Sequence, residues 1–117
     1  MPIPRVTRLA HQLQEEIALI IHRELKDPGV GFVTITGVEL SKDLSHAKVL
    51  FSCLGTLQQR AQCQEALERS TRYIHGLIKK RLRLRITPTL VFRYDESIEH
   101  SIAVSDMLDR LKGREGT

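Results

Sequence analysis

Val30-Gly-Phe-Val-Thr-Ile-Thr-Gly-Val-Glu-Leu-Ser-Lys-Asp-Leu-Ser-His-Ala-Lys-Val-Leu-Phe-Ser-Cys53 reads as two strands and a short connection. Val33 and Ile35 alternate with Thr34 and Thr36, the period of two that sets every second side chain on the same face of a strand. At Gly37 the parity slips, because the next apolar pair, Val38 and Leu40, falls on even numbers. A glycine at such a slip marks a β-bulge, where one extra residue bends the strand and keeps its apolar side inward. Ser41-Lys-Asp-Leu-Ser45 then supplies a turn, after which Ala47, Val49, Phe51 and Cys53 alternate with His46, Lys48, Leu50 and Ser52. Two strands joined by so short a loop form an antiparallel hairpin, closed at Gly55.

Helical spacing flanks the hairpin on both sides. Upstream, Leu9, Ala10, Leu13, Ile17, Ile20, Ile21 and Leu25 recur three and four apart and draw one apolar stripe over residues 7–26. Thr7 is the expected N-cap, and Asp27-Pro-Gly29 the stop. Downstream, residues 58–83 carry Cys63, Ala66, Leu67, Ser70, Tyr73, Ile74, Leu77 and Ile78 at helix spacing. Ser70, Thr71 and Gly76 are weak helix formers near the middle of this long element, which predicts a kink or break between 70 and 76. Leu82 and Leu84 alternate with Arg83 and Arg85, so the chain leaves the helix there with leucines inward and arginines outward. Pro88 opens a short strand over 89–94 with Leu90, Phe92 and Tyr94 on one face. A last amphipathic stretch bears Ile98, Ile102, Ser105, Leu108 and Leu111, followed by a tail over 113–117 that frays.

The order is α-β-β-α-(kink)-α-β, with a terminal helix. Helices with single stripes and strands with one apolar face imply a two-layer α+β domain, a small three-stranded sheet covered on one side by helices. With a basic helix pair, this is the layout of a type II KH-like domain, an RNA-binding fold. The KH clamp is a GxxG loop between the two helices, and it is absent from that place: Gly113-Arg-Glu-Gly116 lies in the tail.

The chain has 117 residues, 41% of them apolar and 27% charged, which suits one packed core and excludes disorder throughout. One domain is expected over 1–112, with a flexible tail over 113–117. No apolar run approaches the roughly 20 residues of a membrane span. Met1-Pro-Ile-Pro-Arg5 lacks the layout of a signal peptide, so the expectation is a soluble cytoplasmic protein without membrane contact. Cys53 and Cys63 fit neither a disulfide framework nor a zinc pattern, and the five histidines are scattered. His46 and His75 have no Cys, Ser or carboxylate at a catalytic spacing. Asp95, Glu96 and Glu99, with Ser97, read as cap and dipole charges of a last helix rather than as a metal site. No enzyme activity, metal or cofactor is expected.

Charge carries the functional signal. The net +4 conceals a segment from Arg69 to Tyr94 with eight basic residues (Arg69, Arg72, Lys79, Lys80, Arg81, Arg83, Arg85, Arg93) and no acid, leaving ten basic and fourteen acidic residues elsewhere. Helix C-termini favour cations, which explains one or two of these. Five in the seven residues 79–85 exceed that need and repel one another unless a polyanion supplies the counter-charge. Arg5 and Arg8 form a second acid-free basic spot. The expected RNA contacts are therefore Arg5, Arg8, Arg69, Arg72, Lys79, Lys80, Arg81, Arg83 and Arg85, acting on phosphates. Phe51, Phe92 and Tyr94 share parity with core positions, so base stacking on an exposed sheet is not expected. A generic RNA- or DNA-binding module that reads the backbone is a second reading of the same residues.

Three segments carry a family resemblance: Glu24-Leu-Lys-Asp-Pro28, Val38-Glu-Leu-Ser-Lys-Asp-Leu-Ser-His-Ala-Lys-Val49, and Leu82-Arg-Leu-Arg-Ile-Thr-Pro88 continuing through Leu90, Phe92, Asp95, Ser97 and Ile98. With them the chain, from about Arg5 to Leu111, resembles the ribosome-binding factor A family of bacterial small-subunit assembly factors. The resemblance implies a type II KH-like domain without the GxxG loop, with an interrupted helix in its place. It implies binding to the immature 30S subunit and to 16S rRNA near the decoding region, help in late processing of the rRNA 5′ end, and a role most needed in the cold. It further implies a non-catalytic monomer released by a ribosome-associated GTPase. The family's kink pattern of a small residue, any residue and glycine falls on Ser70, Thr71 and Arg72, where arginine replaces the glycine, shifting the kink toward Gly76.

Overall fold

The computed structural model describes residues 4–25 and 27–97. Helix α1 (Arg5–Arg23) buries Leu13, Ile17, Ile20 and Ile21, the predicted stripe. It starts at Arg5, with Pro4 rather than Thr7 as N-cap, and the Arg8 amide donates to the Pro4 carbonyl at 3.0 Å. A proline at the entry has its φ already set and has no N–H to leave unsatisfied, so the helix begins before Thr7 can cap it. Beyond the C-cap Glu24, the Asp27 carboxylate accepts from the Gly29 amide at 2.9 Å and turns the chain away.

Strands β1 (Val33–Leu40) and β2 (His46–Cys53) form the antiparallel hairpin, and their register shifts between Ile35 and Gly37. Thr36 is the extra residue of this bulge, as the parity slip requires. Its hydroxyl donates to Asp95 Oδ2 at 2.7 Å. Strand β3 (Thr89–Tyr94) adds parallel to β2, giving the order β1-β2-β3. A parallel neighbour needs a crossover, and helix α2 (Leu57–Leu82) supplies it.

α2 begins with a capping box, in which Thr56 Oγ1 accepts from the Gln59 amide at 3.2 Å and Gln59 Oε1 accepts from the Thr56 amide at 2.7 Å. Gly55, at φ 135°, leaves room for that glutamine, whose side chain a Cβ at this position would strike.

Of the kink or break expected at Ser70, Thr71, Arg72 and Gly76, no break occurs: α2 runs uninterrupted over 26 residues. Thr71 Oγ1 donates to the Leu67 carbonyl at 2.9 Å, so its hydroxyl is satisfied without leaving the helix. Ser70 is buried among Cys63, Ala66, Leu67, Ile74 and Ile78, and packing of this stripe on the sheet outweighs the propensity cost of about 1 kcal/mol at Gly76. The helix stops at Arg83, whose φ of 47° is left-handed. Leu82 and Leu84 are half-buried against the core while Arg83 and Arg85 are exposed, as their alternation predicts.

Both helices cover one face of the sheet among the described residues, and Phe51 and Phe92 are fully buried between the layers. Tyr73 departs from expectation and is 52% exposed. The buried stripe of α2 runs through residues 63, 66, 67, 70, 74 and 78, which turns position 73 outward. Asp95 caps the chain after β3, accepting from the Ser97 amide at 3.1 Å and holding Thr36. Its carboxyl lies below the ordinary range, chiefly through the Ser97 hydroxyl and next through Thr36. Glu99, the last amphipathic stretch over 98–111, the domain boundary at 112 and the tail over 113–117 lie outside the described residues. Among the described residues no helix is long and apolar enough to cross a membrane.

Candidate nucleic-acid interface

The parallel return of β3 sets the position of the basic linker. Because Thr89 pairs with His46, residues 83–88 come to the end of the sheet that carries the hairpin loop 41–45, and the Thr89 amide donates to the Ser45 carbonyl at 2.9 Å. The start of α1 reaches the same end. Arg5 and Arg8 thereby meet Arg85 and Ile86 of the linker, and Asp43 and Leu44 of the loop, around an open groove of about 440 Å³. Two basic spots that are 77 residues apart, counted from Arg8 to Arg85, thus share one site.

Two of the expected contact residues, Arg69 and Arg81, also have internal partners. Arg69 Nη2 lies 3.1 Å from Asp27 Oδ2, bracing α2 against the turn after α1. Arg81 bridges to Glu16 at 3.0 Å and also to Glu24, tying the end of α2 to α1. Its pKa is raised, first by the hydrogen bond to Glu24 and then by that to Glu16. Asp27 is held below the ordinary carboxylate range, chiefly by the Gly29 amide, with Arg69 assisting. Acid-free in sequence is therefore not acid-free in space.

Arg5, Arg8, Arg72, Lys79, Lys80, Arg83 and Arg85 are exposed and make no ion pair among the described residues. Lys79, Lys80 and Arg83 surround the end of α2, and Arg85 carries the charge on into the groove. Arg72 stands apart, lining a second groove of about 610 Å³ with Thr71, His75 and Thr89 between α2 and β3.

The hairpin loop is a rigid wall of the first groove. Asp43 Oδ1 accepts from the Ser41 hydroxyl at 2.8 Å, the Ser45 hydroxyl at 2.7 Å and the Ser45 amide at 3.1 Å, while Leu44 takes a φ of 62°. These donors stabilise the anion and pull its pKa from the ordinary 3.8 to about 2, the Ser45 hydroxyl contributing most. A depressed carboxylate stabilises the fold above its unfolded pKa, and that contribution is lost as pH falls through the folded one. The loop is therefore expected to hold unchanged down to pH 3.8 and to loosen as pH falls toward about 2. The Asp43 carboxyl carbon shift should titrate in NMR with its midpoint near the lower value, and a midpoint at the ordinary value would contradict the bonded geometry.

The sequence profile described as "Ribosome-binding factor A" matches residues 5–108. The chain belongs to the ribosome-binding factor A family. It is 44% identical over 111 residues to the ribosome-binding factor A of Halothermothrix orenii, covering 95% of this chain and 91% of that one. It is 46% identical over 111 residues to that of Desulfitobacterium hafniense, covering 95% and 89%. The crystal structure of ribosome-binding factor A from Thermus thermophilus superposes with a TM-score of 0.69 at 29% identity, covering 76% of this chain and 93% of that one. A Thermus thermophilus ribosome-binding factor A fitted into the cryo-EM map of a 30S complex gives 0.65 at 28% identity, covering 78% and 96%. The solution structure of a Thermotoga maritima protein of the same description gives 0.65 at 35% identity, covering 80% and 89%. The expected α+β, KH-like architecture is that of the ribosome-binding factor A family.

Against this family background, sequence reasoning passed over Tyr73, Leu44 and Ile86. Tyr73 presents its ring on the face of α2 that also carries Arg69 and Lys80, one and two turns away. Ile86 is 64% exposed although it shares parity with the inward Leu82 and Leu84, so the alternation pointed the other way and the sequence carries no signal for it. Leu44, at φ 62° in the hairpin loop, lines the groove and has no sequence signal.

Proposed function

We propose that this chain is a non-enzymatic assembly factor that binds the immature 30S subunit in the cytoplasm and contacts 16S rRNA. It assists late small-subunit maturation and processing of the rRNA 5′ end, acts as a monomer, and is released by a ribosome-associated GTPase. The observation that carries this reading is the run of exposed cations without internal acids, Lys79, Lys80, Arg83 and Arg85, joined at one end of the molecule by Arg5 and Arg8. Clustered cations of one sign repel one another until a polyanion neutralises them, and rRNA phosphates do so. The placement of a Thermus thermophilus relative in a 30S complex supports the choice of polyanion.

Competition tests it. Tagged immature subunits are sedimented with the protein in the presence of rising amounts of random RNA or of untagged immature subunits. The expected result is retention against an excess of random RNA that matches the subunits in phosphate. Equal displacement by random RNA and by subunits would replace this reading with a generic backbone-binding module.

A further inference from the structure

The groove at the end of the sheet is more than a cluster of charge. Phosphate contacts need only cations on an accessible surface, and Lys79, Lys80 and Arg83 already provide them around the end of α2. Beside Arg5, Arg8 and Arg85 the structure instead lines the groove with the aliphatic side chains of Val6, Leu9, Leu44, Leu84 and Ile86. Apolar side chains set among arginines have the wrong chemistry for an A-form duplex, which offers phosphates and hydroxyls and keeps its bases stacked inside. They have the right chemistry for the apolar face of a base that has left its stack, with a phosphate on either side.

We propose that this groove holds a single unpaired RNA nucleotide, its base lying on Val6, Leu84 and Ile86 and its flanking phosphates on Arg5, Arg8 and Arg85. The assignment rests on the reading that the chain binds rRNA, and it deepens that reading by naming the state of the RNA. The volume, about 440 Å³, falls within the range of small-ligand sites. Asp43 sets the direction. Its Oδ1 takes all three loop hydrogen bonds, Oδ2 takes none of them, and the carboxylate stays ionised. A fixed anion on the loop wall repels phosphate toward the arginines and accepts from the N–H groups on a base edge. The factor would then engage strands that are unpaired in the immature particle and lose this contact once they pair.

The test uses the full chain with its Val, Leu and Ile methyls labelled. It is titrated with a single-stranded RNA hexamer, an RNA hairpin with the same number of phosphates, and an acidic peptide containing leucine. The expected result is that the hexamer shifts the methyls of Val6, Leu84 and Ile86, whereas the hairpin and the peptide do not. The double variant Val6→Ser with Ile86→Ser alters two exposed positions. It should bind the hexamer roughly tenfold more weakly, the scale of losing the burial of about two methyl or methylene groups, and bind the hairpin unchanged. Unmoved methyls with the hexamer, equal shifts with the hairpin or the peptide, or equal loss of both RNAs in the variant would each overturn the proposal. Such a failure alongside intact preference for immature subunits in co-sedimentation rejects the nucleotide pocket alone, whereas loss of that preference in the unaltered protein rejects the assembly-factor reading itself.

Discussion

Glutamine at Lys79, Lys80, Arg83 and Arg85 together lowers affinity for the immature small subunit by roughly a hundredfold or more near 0.1 M salt, and it flattens the salt dependence. Each phosphate contact contributes about 0.7–0.9 to the slope of log affinity against log salt, so four lost contacts reduce its magnitude by about 3. The fold should survive, because all four side chains are exposed and none holds an ion pair among the described residues. Thermal unfolding of the variant is therefore expected close to that of the parent, apart from the small favourable interaction of Lys79 and Lys80 with the helix dipole. Arg81→Gln is the internal control. Its guanidinium is engaged by Glu16 and Glu24, so its loss should loosen α1 from α2 and lower the unfolding temperature while leaving the salt slope nearly unchanged. An unchanged slope in the fourfold variant, or a slope lost with Arg81 alone, would move the contact surface elsewhere.

That division between Arg81 and its neighbours was invisible in the sequence for a physical reason. Glu24 precedes Arg81 by 57 residues and Glu16 by 65, so a local count of acids finds none. Only the antiparallel return of β1 and β2 and the crossover of α2 bring them together. The bulge, expected at Gly37 and found one residue earlier at Thr36, was by contrast legible because strand periodicity is local: a slip of parity needs an extra residue if the apolar side is to stay inward. The α2 break failed for the opposite reason. Ser70, Thr71 and Gly76 lower local propensity, but burial of one continuous stripe on the sheet overrides it, and the Thr71 hydroxyl finds its acceptor inside the helix. The groove lies between these cases. Its arginines were read individually, but their meeting depends on the parallel β3 returning the linker to the start of α1, a fact of topology rather than of spacing.

The same topology puts Phe51 at the centre of the packed sheet. It is fully buried in the central strand, pairs with Ile35 on one side and Tyr94 on the other, and meets the Tyr94 ring edge-on at 5.8 Å. Phe51→Ala removes a ring from a packed layer and is expected to destabilise the fold by about 3–5 kcal/mol. A small domain has only about 5–15 kcal/mol in total, and each kcal/mol moves the midpoint by about 4–8 °C. The thermal midpoint should therefore fall by about 12–40 °C, read by circular dichroism. Phe51→Leu, which keeps most of the volume, should recover more than half of that loss. The cations lie at the far end of the sheet, since Phe51 pairs near the end of β3 and the linker enters at its start. Below its midpoint the leucine variant should consequently bind subunits with the parent's salt slope, which separates a lesion in the scaffold from one in the charged surface. A leucine variant that is stable yet has a flattened slope would mean that the core and the cationic end are coupled, contrary to the geometry that places them apart.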